Sequence, residues 1–440
     1  MVALCSTLAG TPALALPPGF AIQIVHAPVN FPTSLRFAPD GRLFFTELTG
    51  RVAYYPSLSF PSSVTWTTLS AAIGGERGVH CVAFHPDFPD SPYVYVAYTN
   101  ASPLNDRLVR YVDRLGEGAD PAILIENSGA ADFHHGGRIA FGSDGMIYLS
   151  YGDQLDPSAA QNVSDPKGKV FRLGRGGKPA PGNPWGPTNP AALYGIRNVF
   201  GLCFDPLDGT GYFTENGPEC DDELNIIALG ANYGWGPNDF CGGQPSGTRT
   251  PLASFSPTIA PTGCCVYRGG IYPSRWDGNL FFGSFNDGLI RRARFVAGRP
   301  DLVDTLDVFA DIQESVLDVT VGPDQFLWVS TPTRILRITY TPPVIGVGYP
   351  SGRPAPTLSL APNPFRESVV LGAQGAPAGA RVEVLDLQGR RVRGWSLPAS
   401  GRLHWDGRSE NGDLVPAGIY LARLTAPDFQ ITRRLIHLGR

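Results

Sequence analysis

The stretch "RIAFGSDGMIYLSYGD", residues 138–153, runs apolar, turns at Ser-Asp-Gly, runs apolar again and stops on an aspartate. Two short alternating runs joined by such a turn predict a tight antiparallel hairpin. The same plan recurs in "LRFAPDGRLFFTE" (35–47), "CVAFHPDFPDSPYVYVAYT" (81–99), "GLCFDPLDGTGYFTE" (201–215), "CVYRGGIYPSRWDGNLFFGS" (265–284) and "DVTVGPDQFLWVS" (318–330). Most copies lead into a third strand, such as "GRVAYYP", "GKVFRLG" or "RILRITY". A short meander cannot bury its own apolar faces, so six of them in series predict radial stacking, a six-bladed β-propeller.

Composition points the same way. With 53 Gly, 42 Pro and 11% aromatic residues among 440, the chain reads as all-β and turn-rich, with few helices. A formal net charge of -4 and the lack of a Lys/Arg stripe argue against nucleic acid as a partner. No apolar run reaches the ~18 residues of a transmembrane segment. The opening "MVALCSTLAGTPALALPPGF" reads as the apolar and cleavage regions of a secretory signal, with Ala13-Leu14-Ala15 as the small-x-small site. Residues 1–16 are therefore expected to be a signal-peptide remnant on an exported protein of bacterial type. Loss of Cys5 would leave Cys81, Cys203, Cys220, Cys241, Cys264 and Cys265. An even set in an exported chain favours disulfides in any of ~15 pairings, and Cys220–Cys241, which closes a local loop, is the pair expected. Zinc is the weaker alternative, since no CxxC pair is present.

Beyond Tyr340 the pattern changes. "TPPVIGVGYPSGRPAPT" (341–357) is rich in Pro and Gly and has no strand period. The expected organisation is a propeller over 17–342, a linker over 343–357 and a small immunoglobulin-like β-sandwich over 358–440. The sandwich is read from alternating strands such as "ARVEVLDL" and "AGIYLARLTAP". The tail resembles the immunoglobulin-like module of flagellar hook-capping proteins and the sorting domains of type IX secretion. "NPF" (363–365), Asp386 with Gly389-Arg390 and Val392, "WDG" (405–407) and "GIY" (418–420) carry that likeness. It implies either a contact with the cell surface or secretion machinery, or a plain spacer.

The third hairpin carries the chemistry. With its turn centred on Asp144, residues whose numbers sum to about 288 face each other, which sets His134 and His135 opposite Asp153 and Gln154. An imidazole beside a carboxylate is a general base in waiting, or a polar pair holding two blades together. The same end of the other hairpins carries Glu47, Thr99, Glu215 and Ser284, so the propeller's mouth is expected to be polar. Arg197 and Asn198 precede the fourth inner strand and suit a planar ligand with carbonyl oxygens. "ENGPECDDE", Glu215 to Glu223, offers five carboxylates around a Gly-Pro turn, hard oxygen donors suited to calcium, or a solvated acidic loop.

Taken together, "RGVHCVAFHPDF", "HHGGRIAFGSDG", "YGIRNVFGLCFDP" and "TENGPECDDELNIIALGANYGWG" resemble the glucose/sorbosone dehydrogenase family. Members of that family are six-bladed aldose dehydrogenases that use pyrroloquinoline quinone (PQQ) and calcium. The resemblance implies that His134 takes the proton from a sugar's anomeric hydroxyl and that Asp153 orients it. It implies Arg197, Asn198 and Asn216 as cofactor contacts, the carbonyls of Gly217 and Pro218 as ligands of the calcium beside PQQ, and Glu223 and Tyr233 as a second calcium site. An aldose would be the substrate, with an electron acceptor the sequence does not name.

Four positions run against the resemblance. The family meets the three carboxylates of PQQ with a lysine and two arginines, where this chain has Asn286, Ser315 and Leu317. Glu76 stands where a glutamine approaches the cofactor. Arg268, Arg291 and Arg292 are the candidate replacements, although the last two fall on an outer strand. The alternative function is therefore a non-catalytic, calcium-dependent propeller that binds a glycan or protein.

Overall fold

The computed structural model describes residues 16–128, 131–237, 241, 245–342, 356–377, 379–386, 389–426 and 429–439. The expected signal segment, apart from Leu16, and most of the expected linker lie outside them. The described residues divide into two compact units, up to Thr341 and from Pro342.

Six four-stranded antiparallel sheets make up the first unit. Counted from the inside outward, blade one is Pro32–Phe37, Leu43–Glu47, Arg51–Tyr55 and Val64–Thr68. The inner strands of blades two to six are Val79–Phe84, Ile139–Phe141, Val199–Phe204, Pro261–Val266 and Asp318–Val321. Each touches the next, and the sixth touches the first, so the ring closes. The six hairpins read from the sequence are the six inner strand pairs. In the third, Ile139 faces Leu149 and Phe141 faces Ile147, the expected register.

What the repeat pattern missed is the closure. Blade six takes its outermost strand from the other end of the unit: Phe20–His26 pairs with Ile335–Tyr340, Phe20 facing Tyr340. Phe20 seats its ring edge-on against Tyr272, Trp276 and Phe309, with centroids 4.8–5.4 Å away. Removing it leaves a cavity in the largest apolar cluster. Phe20→Ala is expected to cost about 3 kcal/mol, read as a lower urea midpoint at unchanged slope.

Polar side chains stitch the blades near the axis. Thr33 donates to the Val79 carbonyl (2.6 Å), Thr214 to Thr262 (2.8 Å) and Thr262 to Val316 (2.9 Å). Between blades six and one the link is ionic: Asp318, fully buried, accepts from the Leu35 N–H (2.9 Å) and from Arg36 (2.7 Å).

The second unit packs a three-stranded sheet, Thr357–Ala361, Val369–Gln374 and Arg402–Trp405, with a four-stranded sheet, Arg381–Leu385, Arg391–Ser396, Gly418–Ala426 and Phe429–His437. Its first strand begins at Thr357, the last residue of the expected linker. Phe365, Trp405 and Tyr420, the aromatic members of the motifs read from the sequence, are its buried centre, with ring centroids 5.4–5.5 Å apart. Those motifs are packing signatures.

Candidate active site

His134 precedes the inner strand of blade three and Asp153 follows its second strand, Ile147–Tyr151. The hairpin register brings them face to face, His134 Nδ1 lying 2.6 Å from Asp153 Oδ1. The carboxylate is fully buried, and its second oxygen accepts from Trp235 Nε1 at 2.7 Å. With both oxygens so engaged it fixes the ring with Nδ1 turned towards it, leaving Nε2 as the nitrogen free to accept, on a side chain 8% exposed. His134 has φ +65°, in the left-handed region that costs an ordinary residue on the order of 1 kcal/mol. Its N–H is pinned by Glu76 Oε2 at 2.7 Å. Gly152 is required alongside, because a Cβ there would stand 2.1 Å from the His134 carbonyl oxygen.

Arg197 and Asn198 join the same cluster. The Asp153 N–H donates to the Arg197 carbonyl (2.8 Å), and the Arg197 guanidinium lies 5.4 Å over the Trp235 ring that holds Asp153. Arg197 also donates to the Asn216 carbonyl (3.0 Å). Burial lowers its pKa from the ordinary value. The Asn198 amide donates to the same Glu76 oxygen as the His134 N–H (2.9 Å), and its carbonyl accepts from Gly136 (3.2 Å). One carboxylate thus ties the histidine loop to the Arg-Asn pair across a blade boundary.

A cavity of about 370 Å³ opens beside this cluster, walled by Glu76, His80, Gly136, Arg138, Asn216, Asn286 and Leu317 among others. The expected polar rim is only partly there. Glu47 is turned to Arg51 and Ser284 to Asp287 and Arg291, and neither lines the cavity. Arg268 pairs with Asp205 and Asp277, Arg291 with Asp287 and Arg292 with Asp307, so none of the proposed replacements reaches it. Ser315 is not among its walls. The arginine that does reach is Arg138, the first residue of the third hairpin, to which the sequence assigned no role. It is 4% exposed, donates to the Leu317 carbonyl (3.0 Å) and shares Asp318 with Arg36. Two guanidiniums against one carboxylate leave one net positive charge at this floor of the cavity, against which the Glu76 carboxylate on its wall sets one negative charge.

His135 turns the other way. Its Nδ1 lies 3.0 Å from Asp106, which also accepts from Thr99 (2.6 Å), while Thr99 meets His80 Nε2 at 3.1 Å. Gly137 admits the His80 ring, since a Cβ there would stand 2.6 Å from the His80 Cβ. Burial pushes the His80 imidazole down to about 3, with His135 and Arg138 adding to the shift and Asp106 opposing it; burial lowers His26 to about 4. Both rings are neutral in the fold and take up protons near 6.5 when unfolded. Their contribution to stability is whole above pH 6.5 and is lost as pH falls towards 3–4. Urea unfolding at pH 7 and pH 5 is expected to show the loss, at up to roughly 1.4 kcal/mol per pH unit for each ring, and His80→Leu should make the dependence shallower.

The acidic loop gathers as expected. Gly217, Pro218, Glu223 and Tyr233, together with Glu215, Asp221 and Arg197, surround a hole of about 20 Å³, the scale of one small ion or water. The donors are oxygens, which suits calcium. Tyr233 offers only its carbonyl, for its hydroxyl is engaged with Ile226 (2.7 Å) and Ala228 (3.0 Å). Cys220 and Cys241 form the expected disulfide beside this loop.

Residues 29–337 match the family model described as Glucose / Sorbosone dehydrogenase. The chain belongs to that family. Within it, the aldose sugar dehydrogenase YliI of Escherichia coli K12 is 26% identical over 349 residues, 72% of this chain and 91% of that protein. Quinoprotein glucose dehydrogenase B of Acinetobacter calcoaceticus is 30% identical over 250 residues, 49% of this chain and 52% of its own length. The PQQ-bound structure of the aldose sugar dehydrogenase from Streptomyces coelicolor superposes with a TM-score of 0.65 at 25% identity, over 74% of this chain and all of that one.

In this member of the family the cavity lining fits PQQ only in part. Asn216 offers an unpartnered Oδ1, an acceptor for a ligand N–H or O–H, while His134, Asp153, Arg197 and Asn198 are not among the lining residues. At the carboxylate end, Asn286 and Leu317 supply no charge and Glu76 supplies one of the wrong sign, with the net charge of the Arg138 floor as partial compensation.

Proposed function

We propose that the protein is an exported sugar dehydrogenase of the quinoprotein kind, oxidising an aldose at its anomeric carbon. The observation that supports this most is the single cluster of His134, Asp153, Trp235 and Arg197, built from blade three, the segment just before blade four and the loop before blade four's outermost strand. PQQ, when bound, supplies the two-electron acceptor for the hydride. His134 Nε2 takes the proton of the anomeric hydroxyl, while Asp153 keeps Nδ1 protonated and steadies the imidazolium that forms. Arg197 and Asn198 would offset negative charge that develops on the cofactor during the transfer. The acidic loop would hold one calcium ion, with the carbonyls of Gly217, Pro218 and Tyr233 and the Glu223 carboxylate as its candidate oxygen donors.

Purified protein given PQQ and calcium should reduce an artificial acceptor dye when supplied with aldoses, and chelation of calcium should stop it. Absence of any PQQ-dependent absorbance change together with glycan binding would instead favour a non-catalytic binding propeller, the reading that Glu76, Asn286 and Leu317 support. The sandwich unit we assign a sorting or surface-contact role, as its likeness to hook-capping and type IX modules implies; deleting residues 342–440 and following where the protein accumulates tests it.

A further inference from the structure

Beyond the joined pair at Cys220 and Cys241, the described residues hold four free cysteines. Two stand alone. Cys81 is directed at the carbonyls of Val82 (3.6 Å) and Ile139 (3.8 Å). Cys265 packs with Phe20, Tyr267 and Phe281 between blades five and six. The other two meet. Cys203, on the inner strand of blade four, and Cys264, on the inner strand of blade five, have their sulfurs 3.2 Å apart.

The approach follows from the backbone. Adjacent residues of a strand point to opposite faces, so Cys264 turns away from the Cys265 cluster and into the one shared with Tyr212 and Phe282, against which Cys203 also packs. The two inner strands run close: Thr214 bridges to the Thr262 carbonyl at 2.8 Å, and a Cβ on Gly201 would stand 2.3 Å from that carbonyl and 3.2 Å from the Cys264 sulfur. A disulfide bond is about 2.05 Å long, so small rotations of two side chains close the gap.

We propose that Cys203 and Cys264 form a second disulfide, which staples blade four to blade five. It forms by exchange with a small disulfide such as oxidised glutathione. One cysteine thiolate attacks a sulfur of the reagent and releases one small thiol. The other thiolate then attacks the mixed disulfide and releases the second. The protein gives up two protons and two electrons as its S–S bond forms, and the reagent is reduced to two thiols. Burial, with the Cys264 sulfur beside it, pushes the Cys203 thiol well above its ordinary value. Thiolate is scarce once the ring is packed, so the bond is made during folding. The staple would fix two walls of the cavity against each other, because the strand of Cys203 carries Phe200 and that of Cys264 carries Thr262, both of which line it.

The full chain, refolded from guanidinium in a glutathione redox buffer, is acid-quenched, alkylated and digested without reduction. A linked peptide pair carrying Cys203 and Cys264, in addition to Cys220 with Cys241, is the expected result. Thermal scans of the wild type and of the Cys203→Ser, Cys264→Ser double variant add a second readout, because reduction should lower the wild-type Tm by several degrees more than it lowers that of the variant. Protein secreted to the periplasm of a bacterial host gives the same map where refolding fails. Alkylation of both cysteines in folded protein, or linkage of either to Cys81 or Cys265, overturns the proposal. Neither readout depends on PQQ, so failure here leaves the dehydrogenase reading untouched.

Discussion

Replacement of His134 by alanine is expected to lower kcat for aldose oxidation by about 10²–10⁴-fold, with KM for the sugar changed far less. The reason lies in how little else near the cavity can take a proton. Glu76 is committed to the His134 N–H and the Asn198 amide, and Asp153 to His134, Leu155 and Trp235. His80 and His135 belong to the Thr99–Asp106 network. Steady-state kinetics over a pH series checks it. The loss should fall on kcat, and the variant's residual rate should depend on pH less than the wild type's. Urea unfolding of the same preparation guards against a trivial explanation, since the His134 side chain is buried and a loss of fold would show as a lower midpoint. An alanine variant within threefold of wild type would remove the imidazole from the reaction.

The second large effect concerns affinity for the cofactor. The triple variant Glu76→Gln, Asn286→Lys, Leu317→Arg deletes one repulsive charge and adds two attractive ones where PQQ would place its carboxylates. Charge-assisted bonds are worth roughly 1.5–3 kcal/mol each, so binding should tighten by about a thousandfold even after allowance for incomplete additivity. Glu76→Gln alone should account for about tenfold, because a glutamine oxygen can still accept from both His134 and Asn198. Titration followed by PQQ absorbance measures all three steps. If the wild type already binds at nanomolar concentration and the triple variant no better, the Arg138 floor supplies what the missing cations do not.

How much of this could be read beforehand depended on range along the chain. The hairpin pairing of His134 with Asp153 is local, set by a turn and a period of two, and the register Ile139 to Leu149 followed from it. The disulfide of Cys220 and Cys241 was legible for the same reason. Asp106 and Trp235 were not, although Trp235 lies inside a motif that was quoted. Asp106 holds His135 and Trp235 holds Asp153, each from another part of the ring, and no periodicity announces such a contact. Arg138 shows a different limit. Its side chain is held by Leu317 and Asp318, nearly two hundred residues away, so only the folded ring shows that it supplies charge to the cavity floor. Phe20–His26 was missed because its partner strand comes at the opposite end of the unit.

That last strand also sets a timetable. A ribosome delivers Phe20 first and Tyr340 almost at the end, so five blades can be complete while the sixth still lacks its outer edge. Over that interval the waiting segment and the bare rim of Ile335–Tyr340 are both open to association with other chains. The ring is locked only by the joining of its own two ends, which makes the seam both the final act of folding and the place where unravelling should begin.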